Sequence, residues 1–253
     1  SLISKTGDEE TCEDALYIGP HFVVVIDGVT SKTQRRWDGK TGGRIAAEII
    51  KEAFDHIPFD ATARQTVDIL TAAIHALYKQ YEVTDVVQDD AVQRAVACFV
   101  ALSIERKEVW FVGDCQCMLN QERIQHTKEI DDITANARSL FLEAEIAKGK
   151  AIEELREHDT GREFILPLLE RQMTFQNNPA ADQYWFPVID GFDVPDDGIR
   201  VLSFPPDIET VVLASDGYPS LKENLEASEQ ALQEVLQGDH LLFRIYKSTK
   251  ALR

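Results

Sequence analysis

Three apolar segments of this chain each end in an aspartate with a glycine beside it. They are Val25-Ile26-Asp27-Gly28, Phe111-Val112-Gly113-Asp114 and Leu213-Ala214-Ser215-Asp216-Gly217. A carboxylate at the end of a buried strand loses water, and a cation or hydrogen bonds must offset that free-energy cost. Several such carboxylates at neighbouring strand ends would form an oxygen-only site, which suits Mg²⁺ or Mn²⁺.

A fourth acidic group, Glu13-Asp14, lies just before the first apolar segment. Glycine beside a carboxylate lets the backbone approach closely, so a main-chain carbonyl such as that of Gly28 can serve as a further ligand. Each Asp-Gly pair taken alone is equally typical of a turn after a strand. The four acidic groups together favour a metal site over a set of unrelated turns.

In their order along the chain these groups resemble the motifs of the protein phosphatase 2C family, in a divergent, bacterial-type form. The family pattern has an acidic pair followed by Ala, then D-G-x-G-G, G-D-S-R and A-S-D-G segments. The matching residues are Glu13-Asp14-Ala15, Asp27-Gly28 with Gly42-Gly43, Gly113-Asp114-Cys115-Gln116 and Ala214-Ser215-Asp216-Gly217. Two motifs depart from the pattern, because residues 29–41 interrupt the second and Cys-Gln replaces Ser-Arg in the third.

The resemblance implies an α+β fold, an αββα four-layer sandwich of two antiparallel sheets flanked by helices. It implies two or three Mn²⁺ or Mg²⁺ ions in a cleft at one end of the sheets. Asp27 would bridge two ions, and the Gly28 carbonyl with Asp14, or its neighbour Glu13, would hold one of them. Asp216 would hold the other. The implied enzyme is a phosphoric monoester hydrolase of the serine/threonine phosphatase type, in which the ions activate the attacking water.

The remaining parts of the family site are less regular in this chain. Asp114 would help to hold a more loosely bound third ion. The family often has a phosphate-binding arginine before the acidic pair, and Lys5 is the only basic residue there. Lys5 therefore joins Asp27 and Asp216 as a candidate catalytic residue, although a terminal lysine is equally typical of plain surface. The last family acid has no counterpart before Arg253, which predicts a missing C-terminal strand.

Composition narrows the choice of partners. The chain has 26 Lys+Arg against 44 Asp+Glu, a formal net charge of −18. This charge repels nucleic acid and anionic lipid, so we expect neither as a partner, and we expect a phosphoprotein or small phosphoester substrate whose charge a local cation neutralises. The four cysteines lack zinc-binding spacing and are expected to be reduced. No apolar run approaches the about 20 residues of a membrane span, and no signal segment opens the chain, which predicts a cytoplasmic protein. We also expect a monomer.

Hydrophobic periodicity predicts the elements that carry these residues. Strands and helices occur in groups instead of alternating strictly, which favours one α+β domain over residues 1–253. The predicted strands are 15–19, 21–29, 95–104, 108–112, 118–124 and 210–214, and the predicted helices start near Thr41 and cover 62–82, parts of 128–176, 228–237 and 239–246.

The charged segment at about 128–177 is predicted to be a helical insertion. Thr160 and Glu163 have the spacing of a capping box, and Pro167 predicts a kink or a late start of the following helix. Two interpretations of the insertion stay open: a substrate-selecting lid beside the cleft, or a helical pair packed on the sheet edge. One predicted apolar stripe comprises Leu140, Ala144, Ala147, Ala151 and Leu155.

Three other catalytic motifs are excluded because the sequence lacks residues that they require. Gly39-Lys40-Thr41 resembles the end of a P-loop, but Gln34 stands where the first glycine is required. A haloacid-dehalogenase nucleophile would have to stand at Val25, and no Gly-x-Ser-x-Gly elbow occurs. One alternative remains, a catalytically impaired, phosphatase-like binding or regulatory module, which the altered Gly113-Asp114-Cys115-Gln116 segment and the absent last acid favour.

Overall fold

The computed structural model describes residues 12–251. Within this range every strand pairs with its neighbours in antiparallel fashion. The strands are β1 (Ala15–Ile18), β2 (Phe22–Gly28), β3 (Ala97–Ser103), β4 (Glu108–Val112), β5 (Gln116–Leu119), β6 (Glu122–Gln125), β7 (Arg200–Ser203) and β8 (Val211–Ala214). The α-helices are α1 (Gly42–Ala53), α2 (Ala63–Gln80), α3 (Thr84–Asp89), α4 (Glu129–Ala147), α5 (Ile152–Glu157), α6 (Thr160–Arg171) and α7 (Leu225–Gly238).

The strands form two sheets that pack face to face. The first has the order β1-β2-β3-β4-β7 and the second the order β6-β5-β8. Alternate residues of the central strand β3 point to opposite layers, since Phe99 packs toward the helices and Val100 packs against Cys117 of the second sheet. Both faces of β3 are therefore covered, which explains its nearly continuous apolar sequence.

Helices α1 and α2 cover the outer face of the first sheet. Ile26 of β2, Ile50 of α1 and Leu70 of α2 are fully buried in one core. On the outer face of the second sheet Met118 packs against Leu221, in the segment that leads to α7. Two antiparallel sheets between helices confirm the predicted α+β sandwich.

The strand predicted over 118–124 is wrong, because two strands stand there. A turn at Asn120 separates β5 from β6, and Asn120 has a φ of 53°. Asparagine tolerates this left-handed conformation better than most residues. Its side-chain oxygen also accepts hydrogen bonds from the backbone N–H of Glu209 (2.8 Å) and Thr210 (3.2 Å), so contacts with a distant loop stabilise the turn.

The predicted helical segment contains α4, α5 and α6, but its predicted apolar stripe is wrong. Leu140 is 73% exposed, and Ala144 and Ala147 are exposed as well. Helix α4 instead buries a partly polar face. The buried residues of α4 are Thr134, Ala135, Arg138, Ser139 and Leu142.

The start of α6 also differs from the prediction. Asp159 is the N-cap, and its Oδ1 accepts a hydrogen bond from the backbone N–H of Arg162 at 2.8 Å. The capping box predicted at Thr160 is thus wrong by one residue. Pro167 lies inside a helix that has already begun at Thr160, so the predicted late start is wrong too.

Residues 239–250, here called the C-terminal segment, do not form the helix predicted over 239–246. The Asp239 carboxylate accepts hydrogen bonds from the backbone N–H groups of Phe243 (2.9 Å), Arg244 (2.7 Å) and Ile245 (2.7 Å). An aspartate that binds nearby backbone donors competes with the helical hydrogen bonds of the same residues. The segment therefore folds as a loop against α4.

Two sequence expectations concern the chain as a whole. None of the four cysteines forms a disulfide, as expected for reduced thiols. Among residues 12–251, no helix has the length and apolar character that crossing a bilayer requires.

Candidate functional site

A pocket lies where β2, β4 and β8 end. Asp27 is the penultimate residue of β2, Asp114 follows β4, and Asp216 follows β8. All three aspartates line the pocket together with Gly28. The structure thus brings together the strand-end aspartates that the sequence singled out.

Asp27 lies buried among other carboxylates of this pocket. Burial raises its pKa well above the ordinary value, and repulsion from Asp216, Asp14 and Asp114 raises it further. Asp216 is the neighbouring carboxylate with the largest effect on Asp27. Asp14 lies on the same side, where Ser215 Oγ donates to its Oδ2 at 3.4 Å. Three neighbouring carboxylates and burial therefore disfavour the charged form of Asp27.

The interrupted glycine motif is reassembled in space. A Cβ on Gly28 would lie 2.2 Å from the Glu13 carbonyl oxygen and 2.6 Å from that of Gly43. A Cβ on Gly43 would lie 2.6 Å from the Val29 carbonyl oxygen. The backbones can approach this closely only because both residues are glycine. The loop over 29–41 leaves the site and returns to it, so the interruption does not separate the two halves of the motif.

Within the acidic pair, the Glu13 side chain has a structural partner. Its Oε1 accepts a hydrogen bond from Thr41 Oγ1 at 2.6 Å, and Thr41 in turn caps the start of α1 by accepting from the backbone N–H of Arg44. Glu13 therefore links the first strand to α1. Asp14 is the member of the pair that acts on Asp27.

Asp114 is paired with a cation that sequence analysis missed. Lys128 Nζ lies 2.6 Å from Asp114 Oδ2 and 3.3 Å from Asp131 Oδ2, and it stands 4.9 Å from the centre of the Phe186 ring. Burial alone would raise the pKa of Asp114, but the charge of Lys128 outweighs this effect and lowers it. No motif marks Lys128 in the sequence, because it meets Asp114 only through the packing of α4.

Four further cations line the pocket, namely Lys32, Arg162, Lys247 and Lys250, and none was predicted. Lys32 lies in the loop after β2 and donates to the Thr30 carbonyl. Arg162, in the first turn of α6, donates to the Thr249 carbonyl at 3.0 Å. Lys250, in the C-terminal segment, donates to Thr30 Oγ1 at 3.2 Å. They come from three distant parts of the chain, so no local spacing could have identified them.

Gln116, which departs from the family pattern, has a clear structural role. Its Nε2 donates to the carbonyl oxygens of Ser215 (2.9 Å) and Tyr218 (3.0 Å), and its Oε1 accepts from Arg123 Nε at 3.0 Å. The buried Gln116 thus fixes the turn that carries Asp216.

Gly113 is also constrained at this site. It has a φ of +96°, and a Cβ there would lie 2.2 Å from Cys98 Sγ. Only glycine therefore satisfies both the backbone conformation and the packing directly before Asp114.

Lys5 and the Gly39-Lys40-Thr41 segment were also considered in the sequence. Lys5 lies outside the described residues. Gly39-Lys40-Thr41 belongs to a tight turn in which the backbones of Trp37 and Lys40 exchange hydrogen bonds of 2.9 Å, and Trp37 is fully buried. This turn has no room for a phosphate-wrapping loop, which agrees with the rejection of a P-loop.

No family model and no curated protein matches this chain. Solved structures do: the Mycobacterium tuberculosis serine/threonine phosphatase PstP/Ppp is 16% identical, with 89% of this chain and 86% of that chain covered and a TM-score of 0.45. The PstP catalytic domain in complex with two manganese ions is 15% identical, with 89% and 85% covered and a TM-score of 0.46. Staphylococcus aureus Stp1 is 17% identical, with 89% and 83% covered and a TM-score of 0.40.

These matches are serine/threonine phosphatases, the class of protein that the ordered motifs resemble. Their identities are at most 17% and their TM-scores are below 0.5, so they carry no argument about activity.

Proposed function

We propose that the chain is a Mn²⁺- or Mg²⁺-dependent phosphatase that hydrolyses phosphoserine, phosphothreonine or a related phosphomonoester. The crowding of carboxylates around Asp27 carries the proposal, since burial and three neighbouring aspartates raise its pKa. Like charges in one buried place require protons or cations. Hard divalent cations bind carboxylate and carbonyl oxygens, which are the donors present here.

The contacts support a particular assignment of ligands. Asp216 and Asp14 are the carboxylates that act most strongly on Asp27, and Ser215, next to Asp216, donates to Asp14 Oδ2. We therefore assign Asp14, Asp27 and Asp216 to the ions. The Gly28 carbonyl completes the set. The Glu13 side chain is engaged with Thr41, which favours Asp14 as the ligand of the pair.

The same contacts argue for two ions in this chain. Lys128 already neutralises Asp114, so a third ion at Asp114 would have to displace an ammonium group held at 2.6 Å. Within residues 12–251, no three acidic, histidine or cysteine side chains yet meet in the geometry of a metal centre. Binding therefore requires Asp14, Asp27 and Asp216 to draw together around the ions.

Bound divalent ions would supply the charge that activates a water molecule and neutralises the phosphoryl oxygens. The protein side chains near the site are poor nucleophiles. Burial raises the pKa of the Cys98 and Cys115 thiols well above the ordinary value, and nearby aspartates raise it further. Protonated thiols do not attack phosphorus, which favours water over a cysteine as the nucleophile.

The experiment is manganese-dependent hydrolysis of p-nitrophenyl phosphate by native protein and by Asp27→Asn. We expect a loss of more than about 100-fold, because residues that only support a metal ligand already cost about 10–100-fold when they are changed. Asp132→Asn is the matched control, since Asp132 lines the same pocket but is exposed on α4. This control should keep native turnover.

Calorimetric titration with Mn²⁺ separates the two remaining functions. A native chain that binds Mn²⁺ yet hydrolyses no phosphomonoester would be a phosphatase-like binding or regulatory module. Native turnover in Asp27→Asn would instead show that the carboxylate cluster is not the catalytic metal site.

A further inference from the structure

Cations are scarce in this chain, yet several meet in one pocket. The net charge is −18, but Lys32, Arg162 and Lys250 line the pocket from the loop after β2, from α6 and from the C-terminal segment. Three separate parts of the chain thus deliver positive charge to the same place. Such convergence in an acidic protein indicates an anionic ligand.

Two of these cations, Lys32 and Arg162, form no ion pair with a carboxylate within residues 12–251. Their polar contacts are to the carbonyl oxygens of Thr30 and Thr249. By contrast, Lys128 and Arg138 in the same region are each paired with an aspartate. The charges of Lys32 and Arg162 therefore remain available to a ligand.

The cations also repel one another. Burial, together with the charges of Arg162 and Lys250, lowers the pKa of Lys32 to about 7. Burial likewise lowers the pKa of Arg162, although Asp159 opposes this effect. An anion placed among them would relieve both the repulsion and the loss of hydration.

This cationic group lies beside the aspartate cluster and not within it. The charged groups that shift the pKa of Asp27 are all aspartates, whereas the pKa of Lys32 is shifted mainly by Arg162 and Lys250 and less by Glu13 and Lys128. Lys128, paired with Asp114, stands between the two groups. The pocket therefore has an acidic half, which suits metal ions, and a basic half. An arginine fork with two lysines matches the charge and oxygen geometry of a phosphate group.

We propose that Lys32, Arg162 and Lys250 form an anion subsite that binds a second phosphate group of the substrate, next to the phosphoryl group hydrolysed at Asp27. The subsite rests on the proposed phosphatase function for its role in turnover. It selects phosphopeptides in which a neighbouring residue is also phosphorylated over singly phosphorylated ones.

The first test is binding of inorganic phosphate to the metal-free full chain in chelator, measured by calorimetry at low salt. Native protein should bind phosphate, and Lys32→Gln and Arg162→Gln should each weaken binding about tenfold, since each removes a charge-assisted contact. Lys247→Gln is the matched control, because Lys247 lines the same pocket but is exposed and donates to Asn136 Oδ1 at 2.7 Å. This control should bind phosphate as the native chain does.

The second test compares kcat/KM for peptides with one and with two adjacent phosphates in the presence of manganese. For native protein, kcat/KM should be higher for the doubly phosphorylated peptide than for the singly phosphorylated one. This ratio of kcat/KM values should fall about tenfold in Lys32→Gln but not in Lys247→Gln. Absence of phosphate binding by the native metal-free chain, or equal losses in Lys32→Gln and Lys247→Gln, would overturn the subsite. A chain that binds phosphate through Lys32 but hydrolyses neither peptide would overturn the phosphatase function and leave the subsite standing.

Discussion

Two clusters of buried charge lie beside helix α4, and they differ in how their charges are balanced. The first surrounds Arg138, which is fully buried on α4. Its guanidinium donates to Asp159 Oδ2 at 2.7 Å and to the carbonyl oxygens of Leu241 (2.9 Å), Leu242 (3.1 Å) and Ser248 (2.9 Å). The charge is balanced, and the donors hold the C-terminal segment in place.

The second cluster is the aspartate side of the pocket. Asp27 faces Asp14, Asp114 and Asp216. Asp114 is neutralised by an ion pair with Lys128, whereas neither Asp27 nor Asp216 forms an ion pair within residues 12–251. Here like charges are held together by the fold at a cost in free energy. Such unbalanced groups mark a site that awaits a ligand, whereas balanced groups mark a structural contact.

Removing a charge should lower the free energy of unfolding in the Arg138 cluster and raise it in the aspartate cluster of the metal-free chain. Arg138→Met should lower the free energy of unfolding by about 3–5 kcal/mol, because it leaves Asp159 and three carbonyl groups without their donor. Chemical denaturation measures this. The double variant Arg138→Met with Asp159→Asn should recover part of the loss. A loss below about 1 kcal/mol in Arg138→Met would break the distinction between the two clusters.

Removing charge from the aspartate cluster should have the reverse effect in the metal-free chain. The folded pKa of Asp27 is raised above the unfolded value of about 3.9, so between the two values the folded chain binds more protons. The free energy of unfolding should therefore fall as the pH rises above about 4 and through the folded pKa. At neutral pH, Asp27→Asn should be more stable than native protein by on the order of 1 kcal/mol.

Thermal melting in chelator across about pH 5–8 checks this prediction. Added manganese should reverse the effect by stabilising native protein more than Asp27→Asn. A native chain whose stability does not change with pH would mean that Asp27 is not strained by its neighbours.

The smallest expected effect concerns an exposed ion pair, and it tests whether burial makes the Arg138 contacts strongly stabilising. Arg244 and Glu143 also join the C-terminal segment to α4, with Nε–Oε1 and Nη2–Oε2 distances of 2.6 and 2.8 Å. Their side chains are 45% and 43% exposed, so a double-mutant cycle should give a coupling below about 1 kcal/mol. A coupling as large as the loss in Arg138→Met would show that geometry, and not burial, decides the value of these contacts.

Local patterns were sufficient for much of the fold and for one half of the pocket. The apolar run that ends at Asp27 predicted β2, and helical periodicity predicted α1 and α2, because burial on a regular element repeats at a fixed spacing. The aspartates were found because a carboxylate directly after an apolar strand is a local signal. Whether Asp14, Asp27 and Asp216 bind ions stays a prediction that the titration will test.

Tertiary structure alone decided the other half of the pocket. Lys32, Arg162 and Lys250 are far apart in the chain, and nothing in the residues around each one indicates that they meet. The C-terminal segment shows why: its helical spacing was overridden by the Asp239 carboxylate, which binds the backbone donors, and by Arg138 on α4, which binds the carbonyls. Long-range hydrogen bonds to a buried charge outweigh local propensity, and they are what brings Lys250 to the pocket.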